Sequence, residues 1–366
     1  MSPAALRRQI GQLLIAGFDG HQLPVELKAL AREFGLGGVV LFARNIAEPE
    51  QVAELCHDAA RLTPHLPLWV GIDQEGGRVA RLTAPPFTKW PAMATLGRSG
   101  DVGLAERFAG ALASELRAIG ITLDFAPVLD VHTNPGNSVI GDRALGEKAA
   151  DVARLGAAII RTLQAQGIAA CGKHFPGHGD TQADSHHELP LVEHPPERLR
   201  EVELVPFRAA IEAGVATIMT AHVLVPALDE RRPATLSKRI VTELLREELK
   251  YDGVILSDDL EMKAVANEYA VPSAAVLAVE AGCDGVLICS GDHDTQAAAL
   301  ESLVHAIEDE HLRLTRVEDA LARQQRAKER FLAAPIASRP ANGRALREIL
   351  GREEHRAIAD EMARFL

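Results

Sequence analysis

The sequence predicts an α/β fold: a single (β/α)8 barrel of the TIM type, followed by a C-terminal helical tail. Three observations carry this prediction. Short, unbroken apolar runs rich in Val, Ile and Leu recur along the chain, as parallel strands buried on both faces require. Longer amphipathic segments alternate with them. Gly120, Gly167, Gly214 and Gly282 close several of those segments, where a left-handed C-cap ends a helix before the next strand. Eight apolar runs favour a closed barrel over the competing arrangement, a doubly wound open sheet.

The strands are expected at Gln12–Gly17, Gly38–Phe42, Leu68–Asp73, Thr122–Leu129, Ile168–Lys173, Ala216–Ala221, Gly253–Ser257 and Gly285–Ser290. Helical patterns fall on Pro49–Arg61, Leu104–Ala118, Ala149–Gln166, Glu197–Ala213, Ser237–Leu249, Ser273–Ala281 and Thr295–Ile307. After Arg330 the pattern changes. The barrel domain is therefore set at residues 1–332, with a Pro-containing linker at 333–343 and one amphipathic helix at 344–366. That helix carries Leu346, Ile349, Leu350, Ile358 and Met362 on its apolar stripe, so it is expected to pack on the barrel, with a dimer contact as the alternative.

The chain has 366 residues, 47% hydrophobic and 25% charged, enough for a large core without disulfide or metal staples. A formal net charge of −12 argues against nucleic acid as the main partner, though it leaves room for a small anion steered locally. Cys56, Cys171, Cys283 and Cys289 show no CxxC spacing, which suits reduced thiols in a reducing compartment. The apolar run Leu13–Phe18 is too short for a signal sequence, and nothing approaches the roughly 20 apolar residues of a membrane span. A cytoplasmic protein is expected, with no membrane or nucleic-acid partner and no cofactor.

In a parallel barrel the site lies on the loops that follow the strands. Here the third strand ends at Asp73 and runs into GIDQEGGRVARL. The fourth passes through LDFAPVLDV to NSVIGDR with Arg143, and the fifth opens KHFPGHGDTQADSHHELP. The sixth ends in TAHV and the seventh in SDDLEM. Helix caps explain a Ser or Asp at one or two such loops, but not charged and imidazole groups at most of them. At the seventh strand, Val254, Ile255 and Leu256 deliver Ser257, Asp258 and Asp259 to the barrel mouth. Alternation turns one acid inward and leaves the other to cap the next helix. A carboxylate fixed there can attack an electrophilic carbon such as the anomeric centre of a sugar. An acid placed for another purpose is the plainer alternative.

The fifth loop holds Lys173, His174, His178, Asp180, Asp184, His186, His187 and Glu188. A metal site is one reading, but the histidines lie in a Gly/Pro-rich loop without an HExxH or HxH framework. An acid/base device is the other: Asp184 can orient His186, giving a proton donor and acceptor tuned near neutral pH. A solvated surface loop, with Gly177 and Gly179 as simple turn residues, is the third.

The stretches DQEGGRVARL, NSVIGDRALG, KHFPGHGDTQADSHHELP and SDDLEM, in that order, resemble the bacterial β-N-acetylglucosaminidases of glycoside hydrolase family 3, the NagZ group of peptidoglycan recycling. IGQLLIAGF, GGVVLFARN and KWPAMATLG match more weakly, and together the stretches span most of residues 10–295. The resemblance implies that Asp258 is the nucleophile and His186 the general acid/base, with Asp184 as its partner. It implies that Asp73 and Arg81 bind sugar hydroxyls, and that Arg143, Lys173 and His174 contact the N-acetylglucosamine unit. Asp259, His222, Glu75 and His178 have no such carry-over and are supporting candidates. The implied substrate is a muropeptide in which N-acetylglucosamine is joined to an anhydro-muramyl peptide, and no metal is implied.

The reaction so implied is retaining hydrolysis by double displacement through a covalent glycosyl-enzyme. A histidine acid/base departs from the carboxylate pair of most retaining glycosidases. The Gly-rich loop that carries it, residues 176–190, is expected to close over bound sugar. Lys173, Arg81 and Arg143 are expected to keep Asp258 ionised. Rival readings are a family 3 β-glycosidase or glycoside phosphorylase of broader specificity, a metal-dependent barrel hydrolase, and a non-catalytic sugar-binding barrel.

Overall fold

The computed structural model describes residues 3–63, 66–181, 189–333 and 342–366. Eight parallel strands pair in chain order and close into a barrel. They are β1 (Leu14–Ala16), β2 (Gly38–Leu41), β3 (Trp69–Ile72), β4 (Leu123–Asp124), β5 (Ala169–Phe175), β6 (Thr217–Thr220), β7 (Val254–Asp259) and β8 (Gly285–Ile288). Closure sets Leu14, Ile15 and Ala16 of β1 opposite Val286, Leu287 and Ile288 of β8.

Strand alternation produces two apolar layers. Ile15, Val40, Trp69, Leu123, Phe125, Cys171, Met219, Leu256 and Leu287 fill the barrel interior. Leu14, Val39, Val70, Ile218, Ile255 and Val286 turn outward into the larger core shared with the helices. Burial on both sides is why the strand runs lack polar alternation.

The helices are α1 (Pro3–Ile10), α2 (Val25–Phe34), α3 (Pro49–Ala60), α4 (Ala94–Ser99), α5 (Val102–Ala118), α6 (Ala149–Ala165) and α7 (Pro196–Arg198), then α8 (Val205–Glu212), α9 (Lys263–Ala266), α10 (Val271–Ala281), α11 (His293–Glu308), α12 (Leu314–Phe331), α13 (Gly343–Arg347) and α14 (Glu353–Ala363). Wider π turns over Arg239–Glu248 fill the helical position between β6 and β7. Helix α12 crosses the N-terminal end of the barrel. There the Trp69 indole N–H donates to Gln324 Oε1 at 3.0 Å. Lys328 Nζ donates to Gln12 Oε1 at 2.6 Å and to the Gly37 carbonyl at 2.7 Å.

The structure differs from the sequence reading in several places, among them the helix α12, for which the sequence predicts no element. Helix α2 buries Leu27, Leu30, Ala31 and Phe34 on one stripe between β1 and β2, where no helix was assigned. Strand β4 stops at Asp124, short of the expected Leu129, because Pro127 has no N–H for the ladder. The segment expected as one helix over Glu197–Ala213 divides into α7, a π turn over Leu199–Glu203 and α8, with Pro206 in the first turn of α8. The helix expected at 344–366 is two, α13 and α14. Gly351 between them adopts φ +56° and sits so close to the Pro86 carbonyl that a Cβ would lie 1.9 Å from its oxygen. Most of the expected linker, residues 334–341, lies outside the described residues.

Candidate active site

The C-terminal ends of the strands surround a cavity of about 580 Å3. Asp73, Arg81, Arg143, Lys173, His174 and Asp258 all line it, together with His178 and Asp259. Val40, Phe42, Phe125, Met219, Met262 and Leu287 supply apolar wall.

The loop after β3 is folded back by Gln74, whose Oε1 accepts the N–H of Arg81 at 2.8 Å and of Leu82 at 3.0 Å. That return brings Arg81 to Asp73, 3.1 Å from Oδ2. Lys173, at the mouth end of β5, donates to Asp73 Oδ1 at 2.8 Å and lies 2.7 Å from Glu75 Oε1. Arg143 forks onto Glu75 through Nε at 2.9 Å and Nη2 at 2.8 Å. Bidentate pairing of this kind fixes the guanidinium plane as well as its charge. Arg81 Nε is buried and finds no acceptor among the described residues.

Burial alone would raise the pKa of Asp73 and Glu75, but Lys173 with Arg81 or Arg143 outweighs it and holds both below the usual carboxylate range. Burial would likewise lower that of Lys173, and the two carboxylates instead push it up. Three cations thus face two carboxylates, and the cluster keeps one net positive charge. Lys173, Arg81 and Arg143 are the cations expected to keep Asp258 ionised. Among the described residues none of them forms an ion pair with Asp258; they are engaged by Asp73 and Glu75.

Strand β7 runs on to Asp259, two residues past its expected end, and carries both acids to the rim. Asp258 Oδ1 accepts the Asp259 N–H at 2.8 Å. Asp259 Oδ1 accepts the N–H groups of Glu261 and Cys289, each at 3.2 Å, so it ties β7 to β8 and to the next turn. Burial, with Glu261 and Asp258 nearby, pushes its pKa up to about 7.

On the fifth loop, His174 Nδ1 lies 2.7 Å from Asp130 Oδ2, and the backbone N–H of His178 donates to Asp130 Oδ1 at 2.6 Å. The pKa of His178 is lowered by burial, against the pull of Asp130. Asp180 is engaged by Thr133 Oγ1 at 2.7 Å and by His194 Nε2 at 2.5 Å. The proposed dyad, Asp184 and His186, lies outside the described residues, as do residues 182–188 of the segment expected to close over sugar. Of the supporting candidates, Glu75 is a buried anchor for two cations. His222 is buried away from the cavity, between Thr235 Oγ1 at 2.8 Å and the Asp259 carbonyl at 2.9 Å. Among the described residues no group of three or more His, Cys, Asp or Glu side chains is placed to hold a metal ion. Asp130 and Gln74 were not singled out in the sequence, although both stand in motifs quoted there. Their partners lie across the barrel mouth or on the far side of a turn.

Known proteins share this geometry's scaffold. The glycosyl hydrolase family 3 N-terminal domain matches residues 5–327. The chain is 34% identical to beta-hexosaminidase A of Pseudoalteromonas piscicida across 93% of its own length and 60% of that protein. It therefore spans less than two thirds of that relative. It superposes on a family 3 β-N-acetylglucosaminidase from Paenibacillus sp. str. FPU-7 with a TM-score of 0.93 and 43% identity, covering 98% of this chain and 68% of the other. NagZ from Neisseria gonorrhoeae, solved with N-trifluoroacetyl-D-glucosamine, gives a TM-score of 0.76 at 31% identity, covering 98% of both chains.

Proposed function

The chain belongs to glycosyl hydrolase family 3, and on that premise we propose that it is a retaining β-N-acetylhexosaminidase that removes terminal N-acetyl-β-D-glucosamine from cell-wall muropeptides. The position of Asp258 carries the reading. It is a carboxylate at the mouth end of β7, inside a cavity whose cations, Arg78, Arg81, Arg143 and Lys173, are already paired with other acids. Such a carboxylate is available to attack carbon, while the cluster beside it offers donors and acceptors to hydroxyl groups.

In the first step a carboxylate oxygen of Asp258 bonds to the anomeric carbon. The bond to the leaving oxygen breaks, and that oxygen takes a proton from His186. In the second step His186 removes a proton from water, whose oxygen replaces Asp258 on the sugar with net retention. Asp184 orients His186 in this scheme, and Asp73, Arg81, Arg143, Lys173 and His174 hold the sugar. The family relationship supports these roles, and so does the convergence of Asp73, Arg81, Arg143, Lys173 and His174 on one cavity with Asp258. Four buried, unpaired cysteines support a cytoplasmic site of action.

The test compares p-nitrophenyl N-acetyl-β-glucosaminide with the matching glucoside, using wild type, Asp258→Ala and His186→Ala. The acetamido sugar should be preferred, and Asp258→Ala should lower kcat by roughly three orders of magnitude or more with the fold intact. His186→Ala should slow substrates with poor leaving groups far more than activated aryl glycosides. An Asp258→Ala enzyme of near-normal rate, or a product of inverted configuration, refutes the assignment.

A further inference from the structure

We propose that Asp130 fixes the tautomer of His174, so that Nε2 of this histidine accepts a hydrogen bond from a donor on the bound sugar. The choice of sugar as ligand rests on the function proposed above; the state of the ring does not. Asp130 is fully buried just beyond β4. Its Oδ2 lies 2.7 Å from His174 Nδ1, and its Oδ1 takes the backbone N–H groups of His178 at 2.6 Å and of His174 at 3.3 Å. Burial raises the pKa of such an acid, but both of its oxygens are taken up by donors, Oδ1 by two backbone N–H groups and Oδ2 by the His174 ring, and the net direction is downward. An ionised carboxylate can only accept. The ring proton facing it must therefore be on Nδ1, and in the neutral ring Nε2 carries a lone pair.

His174 lines the cavity, and Nδ1 is spent on Asp130, so Nε2 is the atom it can offer a ligand. The cations on the adjoining wall, Lys173, Arg81 and Arg143, can only donate. A sugar hydroxyl or amide N–H needs an acceptor, and His174 supplies one. The pair is not merely a buried ionic contact of the common sort. Glu115 and His355 make the same kind of contact at 2.8 Å, where α5 meets the C-terminal tail, and neither residue lines the cavity. By acting through His174, Asp130 is a positioning residue, and it also pins the start of the 174–178 turn.

Long-range 15N–1H spectra of histidine-labelled wild type, with the His174 signals assigned by loss in His174→Gln, read the ring directly. A protonated Nδ1 and a bare Nε2 are expected. A proton on Nε2, on either the neutral or the doubly protonated ring, overturns the proposal. In Asp130→Asn the amide oxygen can keep the two backbone N–H groups while its NH2 faces Nδ1, which forces the ring proton onto Nε2. The KM for the acetamido glycoside and the Ki for free N-acetylglucosamine should then rise about 10- to 100-fold, with the His174 spectrum switched. Wild-type KM and Ki in a folded Asp130→Asn protein overturn the role. If that variant does not fold, the wild-type spectrum still decides. If wild type cleaves no acetamido glycoside, the functional reading fails and the spectrum still reports the ring.

Discussion

Asp258 and Asp259 are neighbours in the chain with different employment. Asp258 is turned to the cavity, while Asp259 bridges β7 and β8 through two backbone N–H groups, and burial first, then nearby acids, raise its pKa to about 7. A carboxyl whose folded pKa exceeds its unfolded value favours the fold most while protonated, below about pH 4. That contribution is lost as the pH climbs through 7. Asp259→Asn keeps the acceptor and cannot ionise. It should gain stability relative to wild type between pH 5 and pH 8, by on the order of 1–2 kcal/mol after solvent screening. Urea midpoints at the two pH values measure this, and a constant offset between the proteins counts against it. Asp73, Glu75 and Asp130 act with the opposite sign. Their pKa values are lowered, so the stability they contribute is present above about pH 4.5 and lost on acidification. The place of Asp258 and Asp259 at the end of β7 was legible in the sequence because Val254, Ile255 and Leu256 lead straight to them. Asp130 was not, because both of its histidine partners stand more than forty positions along the chain.

Glycine at one point decides how two loops meet. A Cβ at Gly179 would lie 1.9 Å from the Val131 carbonyl oxygen. That close approach sets the loop after β5 against the loop after β4, where Thr133 reaches Asp180 and Asn137 Nδ2 donates to the His178 carbonyl at 2.7 Å. Gly179→Ala should therefore displace the His178–Thr181 turn, cost about 1–3 kcal/mol of stability, and raise KM. A thermal melt with parallel kinetics checks both, and an unchanged melt would show that the backbone gives way freely. Sequence patterning marks Gly179 as a turn residue, but the clash that demands glycine comes from Val131, which no local pattern can show. The same reason hid the break in the tail. The stripe of Leu346, Leu350 and Met362 is real and buried, whereas Gly351 is needed because Pro86 lies against it. All eight strands were readable from their apolar runs, and their ends were less so wherever proline or a neighbouring strand sets the limit.

The barrel is held at its N-terminal end by charges as well as apolar packing. Asp284, buried just before β8, accepts from Arg246 at 2.6 Å, from Arg316 and from the Ile255 N–H at 2.9 Å. One carboxylate thus joins the π stretch, β7, β8 and α12. Asp284→Ala strands two largely buried guanidinium groups and should cost about 3–5 kcal/mol. Chemical denaturation measures it, while KM in the folded fraction should stay at the wild-type value because the cavity is at the other end. A loss below 1 kcal/mol would mean that the arginines find other partners. Neither this node nor the role of α12 was anticipated, since Arg246, Asp284 and Arg316 are brought together only by barrel closure. The stopper made by Trp69, Gln324 and Lys328 has a further consequence. Among the described residues this stopper closes the barrel end opposite the cavity, so on the function proposed above a glycan would meet the site from the mouth side. A monosaccharide released there would leave on the side from which substrate arrives, and free sugar should therefore compete with incoming substrate.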